Sequence, residues 1–393
     1  MNYKYTIVLV FLLATYSLTA QGNLDQSLNS VAENNRTLIA ANQYVEAKKL
    51  EFRTGISPEN PFVSADYMIG TPVAGGNQLD FQVTQAFDFP SVYFKKGDLA
   101  DQKEAMLAIQ LQGIRQDILL DAKATILEII HLNKQFLVFQ TRVENSASLV
   151  DQYQKRYDAE DISALELNKA KIQLLTLQSE LRSIENETRI KIQHMTELNG
   201  GNELLITGTE YPLQPPVPLF EILEDSIEAN DPGLKTLHQQ REIYLSELSL
   251  NKAMAFPKFE TGYHYQSVLG QTFNGVHLGI SIPLWERRKT IKAARANVQL
   301  GDLQVEEHGN EHYFEIKELY QEYENLKQTI DDYRQVLGSL NSEELLQKLL
   351  ESGDINFITY SAEIHYYYAA HDALAELEMR YHIVLAELFK YQL

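Results

Sequence analysis

The chain has 393 residues and a formal net charge of −20 at pH 7, because 54 Asp and Glu residues outnumber 34 Lys and Arg residues. So acidic a chain lacks the basic footprint that nucleic-acid phosphates require, and no nucleic-acid partner is expected. The absence of cysteine from the sequence excludes disulfides, thiolate metal sites, cysteine nucleophiles and a lipid-modified N-terminal cysteine.

The first residues have the pattern of a secretory signal peptide. Lys4 precedes an apolar run from Ile7 to Ala14, and the small residue Ala20 precedes Gln21. Leu18 departs from the pattern, since a small residue is preferred there, and a buried N-terminal helix is the alternative. The sequence predicts a signal peptide over residues 1–20. No later stretch reaches the ~18 apolar residues that a membrane-spanning helix needs.

An internal repeat organises the rest of the chain. Asn35, Leu38 and Pro61 recur at an offset of 196 as Asp231, Leu234 and Pro257, and after the predicted strands the offset becomes 193. The predicted division is a first repeat over residues 21–205, a Pro-rich linker over 206–218 and a second repeat over 219–393. Each repeat contains a helical segment, two strands and a long helical hairpin. The helical segment of the first repeat is predicted to be continuous over Leu24–Arg53, whereas that of the second is split.

Alternating side chains predict two strands in each repeat, over about 61–70 and 79–90, and over about 257–266 and 274–285. One face of each strand is apolar and the other is polar, as in membrane β-barrels, although a soluble amphipathic sheet has the same alternation. Six residues of the polar face are predicted to line the lumen of a barrel: Asp80, Gln82, Thr84, His264, His277 and Ser281.

Four strands cannot close a barrel, since the smallest closed ones have about eight. Open sheet edges are not tolerated in lipid. A barrel containing these strands must therefore be shared between chains, with eight strands from two copies or twelve from three.

Heptad spacing predicts very long helices that pair as hairpins over about 98–199 and 287–391. The outgoing helix of the first hairpin, about 60 residues, would extend about 90 Å at 1.5 Å per residue. Helices of this length favour a conduit over a catalytic cleft.

Turns rich in Asp, Ser and Asn are predicted at the far end of both hairpins. Gly353 can adopt positive φ in the second turn, and Glu160 takes its place in the first. The residues predicted to form this tip are Asp158, Glu160, Asp161, Ser163, Gly353, Asp354 and Asn356.

The duplicated layout and the repeated turn pattern resemble the outer-membrane efflux protein (TolC) family over essentially the whole mature chain. The resemblance implies an α+β membrane channel, in which four strands per chain form a twelve-stranded barrel in a homotrimer embedded in outer-membrane lipid. A coiled-coil periplasmic tunnel continues the barrel, and its tips meet a periplasmic adaptor and an inner-membrane transporter of the RND (resistance–nodulation–division) type.

The resemblance also implies a periplasmic aperture just beyond the tips, at Glu166, Lys169, Thr359 and Glu363. The acidic ring of well-known family members is not reproduced at these positions.

The C-terminal segment, which contains His365, His371 and His382, is similar to the heavy-metal efflux branch. His365 and His371 are six residues apart, off the spacing that places two metal ligands on one helical face, so no metal site and no cofactor is expected.

The sequence thus predicts a passive export conduit of a tripartite efflux system, with heavy-metal cations as a possible cargo and heavy-metal resistance as the role. A nucleotide-binding GxxxxGK[ST] loop and an HExxH zinc motif do not occur, and no enzyme is expected. The alternatives are a periplasmic adaptor, which would have one hairpin between β-rich segments, and a diffusion porin, which would have short helices.

Overall fold

The computed structural model describes residues 24–71, 76–213, 215–285, 287–340 and 342–393. The predicted signal peptide lies outside this part of the chain. The structure has two compact units, one of residues 24–39, 114–230 and 313–393 and the other of residues 40–113 and 231–312.

The elements follow the predicted order twice. Helix α1 includes residues 24–34. The remaining elements of the first copy are α2 (Arg36–Phe52), β1 (Phe62–Ile69), β2 (Asn77–Phe87), α3 (Pro90–Asp158) and α4 (Ala164–Leu198). Those of the second are α5 (Phe220–Glu228), α6 (Pro232–Ala253), β3 (Lys258–Val268), β4 (Gln271–Ser281), α7 (Arg288–Leu337), α8 (Ser342–Ser352) and α9 (Phe357–Leu388).

The four strands form one antiparallel sheet in the order β1-β2-β3-β4. The two copies join through β2 and β3, whose register pairs Val83 with Tyr263 and Gln82 with His264. One face of the sheet therefore carries aliphatic and aromatic side chains across all four strands. On β4 the exposed fractions are 76% for Val276, 78% for Leu278 and 60% for Ile280, so this face is bare in the single chain.

The helical segment of the first copy is divided, contrary to the continuous helix predicted over Leu24–Arg53. Asn35 interrupts it, because its side chain accepts a hydrogen bond from the Leu38 backbone N–H (3.1 Å) and donates one to the Leu198 carbonyl (2.8 Å). Asp231 caps α6 in the same way, through the N–H of Leu234. Both copies thus start a new helix at an equivalent N-cap residue. The break in the first copy is hard to recognise in the sequence, because asparagine occurs within helices as well as at their caps.

The long helices differ from the prediction at two points. Helix α3 begins at Pro90 rather than near residue 98 and has 69 residues, since proline is favoured in the first turn of a helix. The outgoing helix of the second hairpin is not continuous, because α7 ends at Leu337 and α8 begins at Ser342. Gly338 and Ser339 follow α7, and their N–H groups bond to the carbonyls of Arg334 and Val336 as the helix closes.

Residues at heptad spacing in α3 and α4 form the helical core. Ala122, Ile129 and Leu132 of α3 are buried. Met195 of α4 packs with Ala122 and Ile129 in one cluster, and Leu177 and Ile184 of α4 pack with Leu132 in a second. No helix in the described part of the chain combines the length and the apolar character needed to cross a membrane.

Candidate functional site: the hairpin tips and the polar face of the sheet

The turns at the ends of α3 and α8 have the same backbone geometry. Glu160 has a φ of +60° and Gly353 a φ of +81°, and these positions correspond at the offset of 193. The following N–H groups reach back five residues, from Asp161 to the Arg156 carbonyl (2.8 Å) and from Asp354 to the Leu349 carbonyl (3.0 Å). This is the Schellman helix end, which normally requires glycine at the left-handed position. Glu160 therefore adopts a conformation that is strained for a side chain with a Cβ atom.

The helices that return from the two turns begin at matched caps. Ser163 accepts a hydrogen bond from the Glu166 N–H, and the Glu166 carboxylate accepts one from the Ser163 N–H (3.1 Å), which completes a capping box. Asn356 caps α9 by accepting a hydrogen bond from the Thr359 N–H (3.0 Å). Two of the four predicted aperture residues, Glu166 and Thr359, thus have a local role at a helix start.

Lys169 and Glu363, the other two predicted aperture residues, are exposed. Lys169 lines a shallow cleft between α4 and α9, together with Gln173, Ser361 and His365.

A shared apolar cluster holds the two turns side by side. The rings of Tyr153 and Phe357 lie 5.0 Å apart, and Phe357 is fully buried. Leu167 and Ala170 of α4 complete the cluster. The predicted tip residues are exposed around it: Asp158, Glu160, Asp161, Ser163, Gly353, Asp354 and Asn356. The result is one acidic, solvent-facing end that contains both turns.

The six residues predicted to line a lumen lie on one face of the sheet. The strand register places Gln82 beside His264, and places His277 and Thr84 on either side of Gly262. Histidine–carboxylate pairs occupy this face, with His264 Nε2 at 2.5 Å from an oxygen of Asp80 and His277 Nε2 at 3.6 Å from one of Glu260. Asp80 and Ser281 share the same alternation, so the polar face continues across β2, β3 and β4.

A group of ion pairs between α3, α7 and α9 was not anticipated from the sequence. Arg142 is buried and makes two hydrogen bonds to Asp372, at 2.8 and 2.7 Å. Its guanidinium lies 4.1 Å from the centre of the Tyr368 ring. Glu378 accepts hydrogen bonds from Lys134 (2.9 Å) and Arg334 (2.7 Å). The sequence shows charged residues among the apolar positions of these helices. It does not show their partners, which are more than 40 positions away.

Burial and ion pairing have opposite effects on the pKa of Glu378. Removal from water raises the pKa of this carboxyl, but the hydrogen bonds and charges of Lys134 and Arg334 outweigh burial and hold it below its usual range. A paired, ionised Glu378 therefore joins α3, α7 and α9 at neutral pH.

The C-terminal histidines are dispersed along α9 in different environments. His365 is exposed, whereas the Nε2 atom of His371 is enclosed without a hydrogen bond to any described residue. The ring of His382 stacks on Tyr211 at a centroid distance of 4.2 Å. Burial lowers the pKa of His382 to about 4, and burial also lowers the pKa of His371.

The strained turn supplies a test of its geometry. We expect Glu160→Gly to stabilise the protein by up to about 1 kcal/mol, because glycine adopts positive φ without strain. Gly353→Ala should destabilise it by about 1–2 kcal/mol. Denaturation followed by circular dichroism measures both changes.

The matched control is Glu351→Gly, the same exchange within the last turn of α8. Glycine costs about 1 kcal/mol within a helix, so this variant should be destabilised. Equal effects of Glu160→Gly and Glu351→Gly would contradict the left-handed assignment of Glu160.

The partly buried His382 predicts a loss of stability in acid. Its pKa in the folded state, about 4, lies below the ordinary value of 6.5, so folding favours the neutral ring. The stabilisation is complete above pH 6.5 and is lost as the pH falls from 6.5 towards 4, by up to about 3 kcal/mol. His382→Phe keeps an aromatic ring against Tyr211 and should lose less stability between pH 7 and pH 4 than the wild type. Parallel denaturation curves at the two pH values measure this difference, and an identical loss in both proteins would refute it.

Solved structures match the chain over nearly its whole length. The outer membrane protein VceC of Vibrio cholerae has a TM-score of 0.76 at 15% sequence identity, and the match covers 95% of this chain and 97% of VceC. CusC, whose structures concern folding and transmembrane channel formation, has a TM-score of 0.75 at 13% identity, covering 94% and 92%. The CmeC outer membrane channel of Campylobacter jejuni has a TM-score of 0.72 at 12% identity, covering 94% and 85%.

No family model and no curated protein sequence matches the chain. The likeness to the solved structures is therefore one of fold, in which a four-stranded sheet is combined with long helices. This chain has the fold of outer-membrane channels such as VceC and CmeC, as its resemblance to the TolC family predicts.

Proposed function

We propose that this chain is the outer-membrane channel subunit of a tripartite efflux system and serves as a passive export conduit. The observation that carries the proposal is the sheet: four strands in one register, with one apolar face bare and one polar face bearing His264, His277 and Asp80. The apolar face suits outer-membrane lipid and the polar face suits an aqueous lumen. The neighbouring structures of outer-membrane channels support the same location.

A homotrimer is the assembly that best fits the sheet. Within the described residues, β1 pairs only with β2, and β4 pairs only with β3, so both edges need partners. Two chains would supply eight strands, and side chains fill the interior of an eight-stranded barrel. Three chains supply twelve strands, which leave room for a lumen.

The repeats and the signal peptide belong to the same proposal. Residues 1–20 would direct export, residues 21–205 and 219–393 would form the two structural repeats, and residues 206–218 would link them. The long hairpins would extend into the periplasm as a coiled-coil tunnel, with an aperture near Glu166, Lys169, Thr359 and Glu363.

The acidic tip is the proposed contact with a periplasmic adaptor. Two matched turns present Asp158, Asp161 and Asp354 at one end of the paired hairpins, on a surface held together by Phe357. An inner-membrane transporter of the RND type would supply the transport energy, since nothing in the sequence indicates nucleotide binding. Heavy-metal cations are the proposed cargo, on the strength of the C-terminal resemblance to the heavy-metal branch.

A periplasmic adaptor is the less favoured reading. It would have one hairpin between β-rich segments, whereas this chain pairs two hairpins with a single duplicated sheet. The neighbouring structures are channel proteins, which points away from an enzyme.

The assembly can be tested by fractionation. We expect the mature protein in the outer-membrane fraction as a trimer that resists dissociation in detergent until it is heated, because twelve paired strands leave no open edge. Gel electrophoresis with and without heating, together with cross-linking, measures this. A monomer in the soluble periplasmic fraction would exclude the channel.

The tip can be tested by charge reversal. We expect a triple variant to abolish efflux while trimers still assemble: Asp158→Lys, Asp161→Lys and Asp354→Lys. Efflux should be lost because these carboxylates would contact the adaptor, and assembly should persist because they are exposed and make no contact with the core. Export by cells that lack the chromosomal channel is the measurement.

The control carries the same charge change along the exposed side of α4, as Glu180→Lys, Glu185→Lys and Glu187→Lys. This variant should retain efflux. Normal export by the tip variant would remove these aspartates from the adaptor contact.

A further inference from the structure

Two histidines of α7 have the spacing that the C-terminal histidines lack. His308 and His312 are four residues apart, so they lie one turn apart on one face of the helix. Their rings are nearly parallel, at 8°, with centroids 5.7 Å apart. A helix presents two imidazole ligands to one transition-metal ion with this spacing.

A carboxylate from a second element adjoins the pair. His308 Nε2 lies 3.6 Å from an oxygen of Asp231, the N-cap of α6. The cap bond from the Leu234 N–H holds this carboxylate in place at the start of α6. Gly233 leaves the necessary space, since a Cβ atom there would stand 3.2 Å from His308 Nε2.

The Nε2 atom of His308 has no hydrogen-bond partner in the described part of the protein, although it is shielded from solvent. A buried polar atom without a partner costs free energy, and a structure retains one more readily where a ligand can satisfy it. A metal ion would use the lone pair of a neutral imidazole in this way.

We propose that His308, His312 and Asp231 bind one divalent transition-metal ion, such as Zn²⁺, Ni²⁺ or Cu²⁺, which joins the start of α6 to α7. Two imidazoles and one carboxylate suit these ions, whereas Mg²⁺ and Ca²⁺ prefer sets of oxygen ligands. As the side chains stand, no three His, Asp or Glu residues among those described form a ready metal cluster, so the rings must rotate on binding. The site does not depend on the proposed channel function.

The test uses the full mature chain, purified in detergent without a polyhistidine tag and freed of metal. We expect calorimetric titration with Zn²⁺ to show one saturable site per chain in the micromolar range. His308→Ala and His312→Ala should each weaken it by about tenfold or more, because each removes one of three ligands. Electron paramagnetic resonance with Cu²⁺ should show two coordinated imidazoles in the wild type and one in each variant.

Two further variants sharpen the result. Asp231→Asn keeps an effective N-cap while removing the charge, and it should also weaken Zn²⁺ binding. His365→Ala removes an exposed histidine of α9 and should leave binding unchanged. The absence of a saturable site, or a site unaffected by both His308→Ala and His312→Ala, would overturn the proposal.

Discussion

Backbone hydrogen bonding at the sheet edges is the constraint on which the rest depends. A strand can pair on both sides, yet among the described residues β1 and β4 each pair on one side only. The aliphatic face over β4 is bare as well, at Val276, Leu278 and Ile280. In water the edge strands could hydrogen-bond to solvent, but the apolar face would stay exposed. In lipid the apolar face would be covered, but the backbone N–H and C=O groups of the edges would have no partners. Closure with further copies of the chain in a membrane, as proposed above, would satisfy both the edges and the face. A test of the oligomeric state is therefore also a test of the proposed function.

The two repeats share individual hydrogen bonds at equivalent positions. Asn35 and Asp231 start helices with the same cap, and so do Ser163 and Asn356. The Schellman turns at Glu160 and Gly353 share the same two closing hydrogen bonds, although only one has glycine. The backbone geometry has thus been retained where the residue type has changed.

Ion pairs built around two buried side chains, Arg142 and Glu378, connect the long helices. Arg142 with Asp372 and Glu378 with Lys134 and Arg334 set α3, α7 and α9 in one register. Arg142 and Glu378 are the members removed from water, so loss of the partners of either one would leave a charge without compensation. The partly buried imidazole of His382 adds a dependence on pH, since it favours the fold only while it is neutral.

Local patterns in the sequence determined the elements. Strict alternation predicted the strands and the shared face of Gln82, His264 and His277, because the side-chain period of a strand is two. Heptad spacing predicted the hairpins, and the repeat offset located both turns and their caps. The break between α7 and α8 was not predicted, since one glycine in a helical pattern is often tolerated. The division of the helix at Asn35 was not predicted either.

Only the tertiary structure decided the pairings between distant segments. The partners of Arg142, Glu378 and His308 lie far away in sequence, and no local period encodes which charged residue meets which. The pairing of β2 with β3 also joins segments that are separated by two long helices. Periodicity specifies which way a side chain points, whereas the packing of whole elements specifies what it meets.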